Sequence, residues 1–368
     1  MRETELRRAR RILARAVEVT VRDGPQVGDD VVDFTLTDRS LKTVALLHEL
    51  ERPRRIEFAR AGQRFTLRYP RPAVDRFEYL LELTSRARSR RMVPDPTNPL
   101  RAPGPFGDKS VVEFPEYEAP EWTRDGEAPT GDLRELRLES VRLRTTIPAP
   151  LWSPEDADPE RPLPLLVVHD GADYVEYAQL LRLLAHLVEY GETPEFRALL
   201  LPPGRSREEL YSASARYASA LAADLIPAVR RVAPFDRPPV LLGASLGALA
   251  ALHAHVRHPG LFAGLFLQSG SFFRRRYDSH ESGFGRFGRI TRFVGEAHGR
   301  SVFAAAVPTV VTCGTAEENL ANNRALAAAL ERRRWDVQAV WNRDAHNWTA
   351  WRDVLHPHLA TLLLRAWT

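Results

Sequence analysis

Apolar and polar positions fall into two textures along this chain of 368 residues. Between residues 32 and 114 the apolar residues come in short runs separated by turn formers. Val32-Asp33-Phe34-Thr35-Leu36-Thr37 and Arg64-Phe65-Thr66-Leu67-Arg68-Tyr69 are two such runs, and Arg76-Phe77-Glu78-Tyr79-Leu80-Leu81-Glu82-Leu83 alternates as a half-buried strand does. Short strands at this spacing predict a β-sandwich. Further on, Leu165–Val168, Arg197–Leu201, Val240–Leu242, Pro308–Cys313 and Trp335–Trp341 each read as a strand, with helical stretches among them. Residues 116–132 are rich in Pro, Gly and acid without a sustained period, which predicts an extended surface linker. Residues 1–22 read as a basic amphipathic helix. Arginine there suits membrane or nucleic-acid contact, while the ordinary reading is a solvated helix packed on the sandwich. The expected organisation is an N-terminal helix and sandwich over 1–115, a linker over 116–132 and an α/β domain over 133–368.

Composition narrows the function classes. Charged residues at 27% and hydrophobic ones at 44% are ordinary for a globular protein. There is no apolar stretch of about eighteen residues, so no membrane span is expected. The arginine-interrupted N-terminus does not read as a signal peptide, and the single cysteine, Cys313, allows no intrachain disulfide. Cytoplasm is the expected compartment. Basic charge is nearly all arginine, with Lys42 and Lys109 the only lysines, and a net charge of +4 does not argue for nucleic acid.

The chemistry concentrates around Val240-Leu241-Leu242-Gly243-Ala244-Ser245-Leu246-Gly247-Ala248. An apolar strand runs into G-x-S-x-G and then into an Ala/Leu-rich helix. Such a turn lifts a serine hydroxyl out of a sheet and needs small neighbours, because the backbone is crowded there. Ser245 is the candidate nucleophile. A base and an orienting acid are expected downstream, in that fold's order of Ser, acid, His. His346, in a short loop before the final helix, is the candidate base. Glu317, three residues past Gly314, is the candidate acid, with Glu318 as the alternative and Asp344 read as a cap of the following helix. Leu246 N–H is the expected oxyanion donor, joined by Gly171 or Ala172 in the turn after Val168-His169-Asp170. His253, His255 and His258 follow the nucleophile without good ligand spacing, so no metal and no cofactor are expected.

These residues converge on a family. The C-terminal portion resembles the enterochelin (enterobactin) esterases and the wider esterase D group of α/β-hydrolases. The matching blocks are Val168-His169-Asp170-Gly171, Gly243–Ala248, His258-Pro259-Gly260-Leu261-Phe262, Leu267-Gln268-Ser269-Gly270-Ser271-Phe272, Cys313–Glu317 with Asn323-Arg324-Ala325-Leu326, and His346-Asn347-Trp348. They run in order over roughly 133–368. Asp95-Pro96-Thr97-Asn98-Pro99 is similar to the turn of the early-set immunoglobulin-like domains that precede the catalytic domain in such enzymes. The resemblance implies an α/β-hydrolase domain preceded by a smaller all-β immunoglobulin-like sandwich. By resemblance Arg207 is a candidate substrate contact, against an ion pair with a neighbouring glutamate. Phe77 and Tyr79 could form a sugar platform; one core and one surface residue is the plainer expectation.

Arg274-Arg275-Arg276 follow a loop expected at the carboxyl edge of the sheet, where ligands bind. Arginines there suit an anionic, aromatic, oxygen-rich ligand; a solvated loop is the alternative. The expected protein is a serine esterase acting on a small-molecule ester, with a catecholate siderophore such as ferric enterobactin implied by the resemblance and iron present only as part of the substrate. An acyltransferase on the same fold and a non-enzymatic binder using the N-terminal domain are the competing classes.

Overall fold

The computed structural model describes residues 24–368 apart from 51–52, 125–130, 205 and 300–302, so the segment 1–22 lies outside the described residues. The N-terminal strands begin with β1 (Gln26–Val27), β2 (Val31–Thr37), β3 (Leu41–His48), β4 (Arg55–Glu57) and β5 (Ala59–Ala61). They continue with β6 (Arg64–Pro70), β7 (Arg76–Ser85), β8 (Arg90–Val93), β9 (Arg101–Ala102) and β10 (Lys109–Glu113). One sheet has the order β1-β2-β6-β5 and the other β4-β3-β7-β10-β9, with β8 pairing β7. The sheets pack face to face through Phe34 against Tyr79, with ring centroids 5.2 Å apart, and Tyr69 against Phe77 at 6.0 Å.

Strand β7 departs from the half-buried expectation, since Arg76, Glu78 and Glu82 are as buried as Phe77, Tyr79 and Leu81. It is central, flanked by β3 and β10. Its polar face is covered by ion partners: Glu82 meets Arg55 at 2.9 Å and Arg90 at 2.8 Å. Phe77 and Tyr79 are both core residues, so they form no exposed platform. The Tyr79 hydroxyl donates to Asp95 Oδ2 (2.8 Å) and accepts from Asn98 Nδ2 (3.1 Å), which ties the Asp-Pro-Thr-Asn-Pro turn into the core. Both partners are buried, so Tyr79→Phe leaves them short of a bond. The expected cost is about 1–3 kcal/mol, read as a lower urea midpoint at unchanged slope.

The remaining strands are β11 (Asp132–Ser140), β12 (Thr145–Ser153), β13 (Leu165–His169), β14 (Arg197–Leu201), β15 (Val240–Ala244), β16 (Gly264–Gln268), β17 (Thr309–Gly314) and β18 (Val337–Asn342). They form one sheet in the order β11-β12-β14-β13-β15-β16-β17-β18, parallel from β14 to β18. β13, β14, β15, β16 and β17 are buried throughout, because helices cover both faces of a parallel sheet. The fold is α/β with all-β sheets before it. The linker is less detached than its composition suggests: Trp122 is buried, and its carbonyl accepts from Arg182 Nε at 2.7 Å. None of the described helices is long and apolar enough to cross a membrane.

From β13 the chain steps to β14 on one side, then returns to β15 on the other. Ligands bind at such reversals, outside the carboxyl ends of the strands. The segments after β13, β15, β17 and β18 carry the candidate residues to that end.

Candidate active site

Ser245 sits between β15 and the helix Leu246–Arg257 with φ +54° and ψ −120°, a strained conformation for a residue with a side chain. The crowding inferred from the sequence is measurable. A Cβ on Gly243 would lie 2.5 Å from the Gly247 carbonyl carbon. The Ser245 hydroxyl is partnered by Ser271 Oγ at 3.2 Å.

His346 lies in the turn between β18 and the helix Trp348–Asp353, and its Nδ1 is 2.8 Å from Glu317 Oε2. The side chain of Glu317 is 1% exposed. Its other oxygen, Oε1, accepts from Gly314 N–H (2.7 Å) and from the Ser269 hydroxyl (2.6 Å), which in turn accepts from Trp351 Nε1 (2.9 Å). Burial alone would raise the Glu317 pKa, but His346 and these donors outweigh it and lower the value. Burial likewise works against charge on His346, and the Glu317 carboxylate overrides it and raises the pKa above the ordinary 6.5. Glu318 lines the same cleft with other partners, pairing with Arg54 at 2.8 Å and His280 at 3.1 Å. Asp344 is not the helix cap: Asn347 fills that position, its side chain accepting from Ala350 N–H, while Asp344 is buried against Arg76.

Gly171 begins the helix Gly171–Ala178, and Asp170 before it is left-handed at φ +55°. So the segment after β13 is a helix start rather than a free turn. A Cβ at Gly171 would come within 2.5 Å of Leu200 Cα, so only glycine fits. A Cβ at Gly247 would meet Asp170 Oδ2 at 3.1 Å, which sets this helix start beside the one at Leu246. The first N–H groups of a helix have no intrahelical acceptor, so Leu246, Gly171 and Ala172 present donors from adjacent strand ends. Arg207 does not pair with a neighbouring glutamate. It holds Asp170 with two bonds, Nε to Oδ1 at 2.9 Å and Nη2 to Oδ2 at 2.7 Å, and lines the cleft.

Ser245, Glu317, His346 and Arg207 share one cleft of about 520 Å³. Its far wall comes from the N-terminal sheets: Glu49, Arg54, Glu78, Lys109 and the loop Pro103–Gly107, with Phe106 98% exposed. Arg274, Arg275 and Arg276 do not line it. The cleft reaches Ser271 and Phe273, and the arginines border a separate depression with Thr291 and Arg292. The chain turns away after Phe273, where Arg274 N–H bonds back to Asp278 Oδ2 at 2.6 Å. Two of the three histidines after the nucleophile have partners of their own: His253 Nε2 accepts from Arg257 (3.3 Å), and His255 Nε2 lies 2.9 Å from Ala305 O.

Three residues that shape the site carried no role in the sequence reading. Ser269, Trp351 and Asn323 fix the carboxylate and the loop after β16, with Asn323 exchanging two bonds with the Gly270 backbone. A serine and glycine directly after an apolar strand was the available signal for Ser269. The exposed phenylalanine of Pro-Gly-Pro-Phe-Gly was the signal for the cleft wall.

The comparisons with known proteins agree with this fold. The chain is 28% identical over 206 residues to the iron(III) enterobactin esterase of Escherichia coli O6:H1, a match spanning 53% of this chain and 51% of that protein, about half its length. The enterobactin esterase of Shigella flexneri, solved in the presence of enterobactin, superposes with a TM-score of 0.73 at 22% identity over 94% of this chain and 96% of that one. The ferric enterobactin esterase of Salmonella typhimurium also gives 0.73 at 22%, covering 93% and 96%. At these identities the structural likeness concerns the fold. The model of the family described as "Putative esterase" matches residues 140–365, well over half of the chain. The chain belongs to that esterase family.

Proposed function

We propose that the protein is a serine esterase in which Ser245, His346 and Glu317 act as a triad, with 133–368 as the catalytic unit and the N-terminal sandwich as one wall of its cleft. The reading rests chiefly on one observation: a buried glutamate bonded to the His346 ring in the same cleft as a strained elbow serine. Ser245 Oγ exchanges Ser271 for His346 Nε2, loses its proton to that nitrogen and attacks the ester carbonyl. Leu246 N–H and a Gly171 or Ala172 N–H hold the oxyanion. His346 returns the proton to the leaving alcohol, and water activated by the same imidazole releases the acid.

The substrate we assign is an ester of an aromatic, oxygen-rich acid of the catecholate-siderophore kind. The relatives' names and the aromatic lining of Phe106, Phe273 and Trp348 support it. Charge adds little. Lys109 is paired with Glu49 at 2.6 Å, Arg54 with Glu318 and Arg207 with Asp170. A fluorophosphonate should label Ser245 and no other serine. Turnover of a catecholate tri-ester, iron-free and iron-loaded, against short p-nitrophenyl esters then ranks substrates; no hydrolysis of any member would refute the reading. Replacing Arg274, Arg275 and Arg276 by glutamine should leave kcat/KM unchanged for anionic and neutral esters alike. A selective loss on the anionic ester would return those arginines to the site.

A further inference from the structure

Arg76 opens β7, yet its side chain leaves the sandwich and enters the turn that carries His346. It is 2% exposed. Nη1 donates to Asp344 Oδ2 (3.2 Å) and to Asn347 Oδ1 (3.1 Å), and Nη2 donates to Glu78 Oε1 (3.0 Å). One guanidinium therefore grips residues on both sides of His346. Asp344 passes the grip on, accepting from Ala345 N–H at 2.7 Å and from Asn347 Nδ2 at 2.9 Å. Beside it, Asp75 N–H donates to Arg343 O (2.8 Å) and Arg343 Nε to Asp75 Oδ1 (2.7 Å). Ala345 is packed within the sandwich's own core. Residues 343, 344, 345 and 347 are all held from the N-terminal side, and His346 is left to meet Glu317.

Stability alone is a poor account of this network. A buried cation with two carboxylates loses much of its Coulomb gain to desolvation, and apolar residues of similar volume often hold two surfaces at least as tightly. What a planar fork adds is direction, because it fixes two acceptors relative to one another.

We propose that Arg76 is a positioning residue for the reaction. It orients the 343–347 turn so that the His346 ring meets Glu317, which makes the N-terminal sandwich part of the catalytic apparatus. This rests on the esterase reading above, so the test needs a readout that requires no substrate.

The informative variant is the double change Arg76→Met with Asp344→Asn, which leaves neither partner as an unpaired buried charge; Glu78 keeps Lys109 at 3.7 Å. Arg76→Lys, which keeps the charge but not the fork, is made alongside. For each, circular dichroism gives the folded fraction. Low-field proton NMR follows the His346 Nδ1–H bonded to Glu317, and ester hydrolysis gives kcat and KM. Both variants should fold and keep KM, with kcat per folded molecule down about 10- to 100-fold, as expected when a base is misplaced by a fraction of an ångström to an ångström. The Nδ1–H resonance should broaden or vanish. Wild-type kcat and an intact resonance in a variant that merely melts earlier would overturn the proposal. If the double variant does not fold, Arg76→Lys decides by the same two measures. A wild-type protein that shows the resonance but hydrolyses no ester refutes the esterase reading, and the resonance in the variants still decides the role of Arg76.

Discussion

Ser245→Ala is expected to lower kcat by about 10³- to 10⁶-fold, the range seen when a triad nucleophile is lost. The methyl group fits where the hydroxymethyl stood, and the elbow keeps its shape because Gly243 and Gly247, not the serine hydroxyl, allow the close approach. Folding stability should therefore change little. What disappears is the oxygen that bonds to the acyl carbon, and no neighbour replaces it. Ser271 Oγ is 3.2 Å away, and the hydrogen bond it makes there is to the Ser245 hydroxyl itself. His346→Ala should cost a similar amount, and the double variant no more than either single one, since nucleophile and base act as a unit. Steady-state kinetics with an activated ester would measure this, and retention of more than about a tenth of turnover would refute the assignment of Ser245.

Glu317→Gln should follow at about 10²- to 10⁴-fold in kcat. The reason lies in the donors around the carboxylate. Oε1 accepts from the Gly314 backbone N–H, which cannot rotate away, so the amide oxygen of a glutamine must take that place. Its NH2 then faces His346 Nδ1, which must accept. The ring is forced into the tautomer with a proton on Nε2, and that nitrogen can no longer take one from Ser245. The pH profile should move as well. With Glu317 in place the His346 pKa is raised, so activity needing the neutral ring rises only above pH 6.5. With the charge removed, burial remains as the main influence and lowers the pKa, so the acid limb should shift to lower pH. Stability follows the same linkage. The lowered Glu317 contributes above the ordinary carboxylate value of 4.5 and loses that contribution as pH falls through its folded pKa. The raised His346 contributes below 6.5 and loses its share as pH rises through its folded pKa. A pH–rate limb unchanged by the substitution would remove Glu317 from the triad.

How much of this was legible depended on whether the physics is local. The elbow was readable because strand, crowding and helix all lie within about a dozen consecutive residues. The parallel strands were readable because burial on both faces makes each a continuous apolar run. Partnerships across the fold leave no such trace. Ser269 and Trp351 hold Glu317 from 48 and 34 residues away in the chain, and Arg76 meets Asp344 across 268. Periodicity did sort the two faces of β7, since Phe77, Tyr79, Leu81 and Leu83 line the sandwich core. It could not reveal that on the other face Arg76 reaches the turn around His346 while holding Glu78 beside it. The arginine run misled for a related reason: composition announces charge, while one backbone turn after Phe273 decides where it points.

The interlocking of Ala345 and Arg76 has a consequence for the order in which a newly made chain becomes competent. Synthesis runs from the N-terminus, and domains fold as they emerge. The strands of the sandwich are thus made before Ser245, and the turn at 343–347 is made after it. Until those residues dock onto the sandwich, the elbow serine lacks the base proposed for it and one side of its cleft. On the proposed triad, a nascent chain stays silent toward esters until the 343–347 turn has been made, and the surface made first serves as the template on which reactivity is finally assembled.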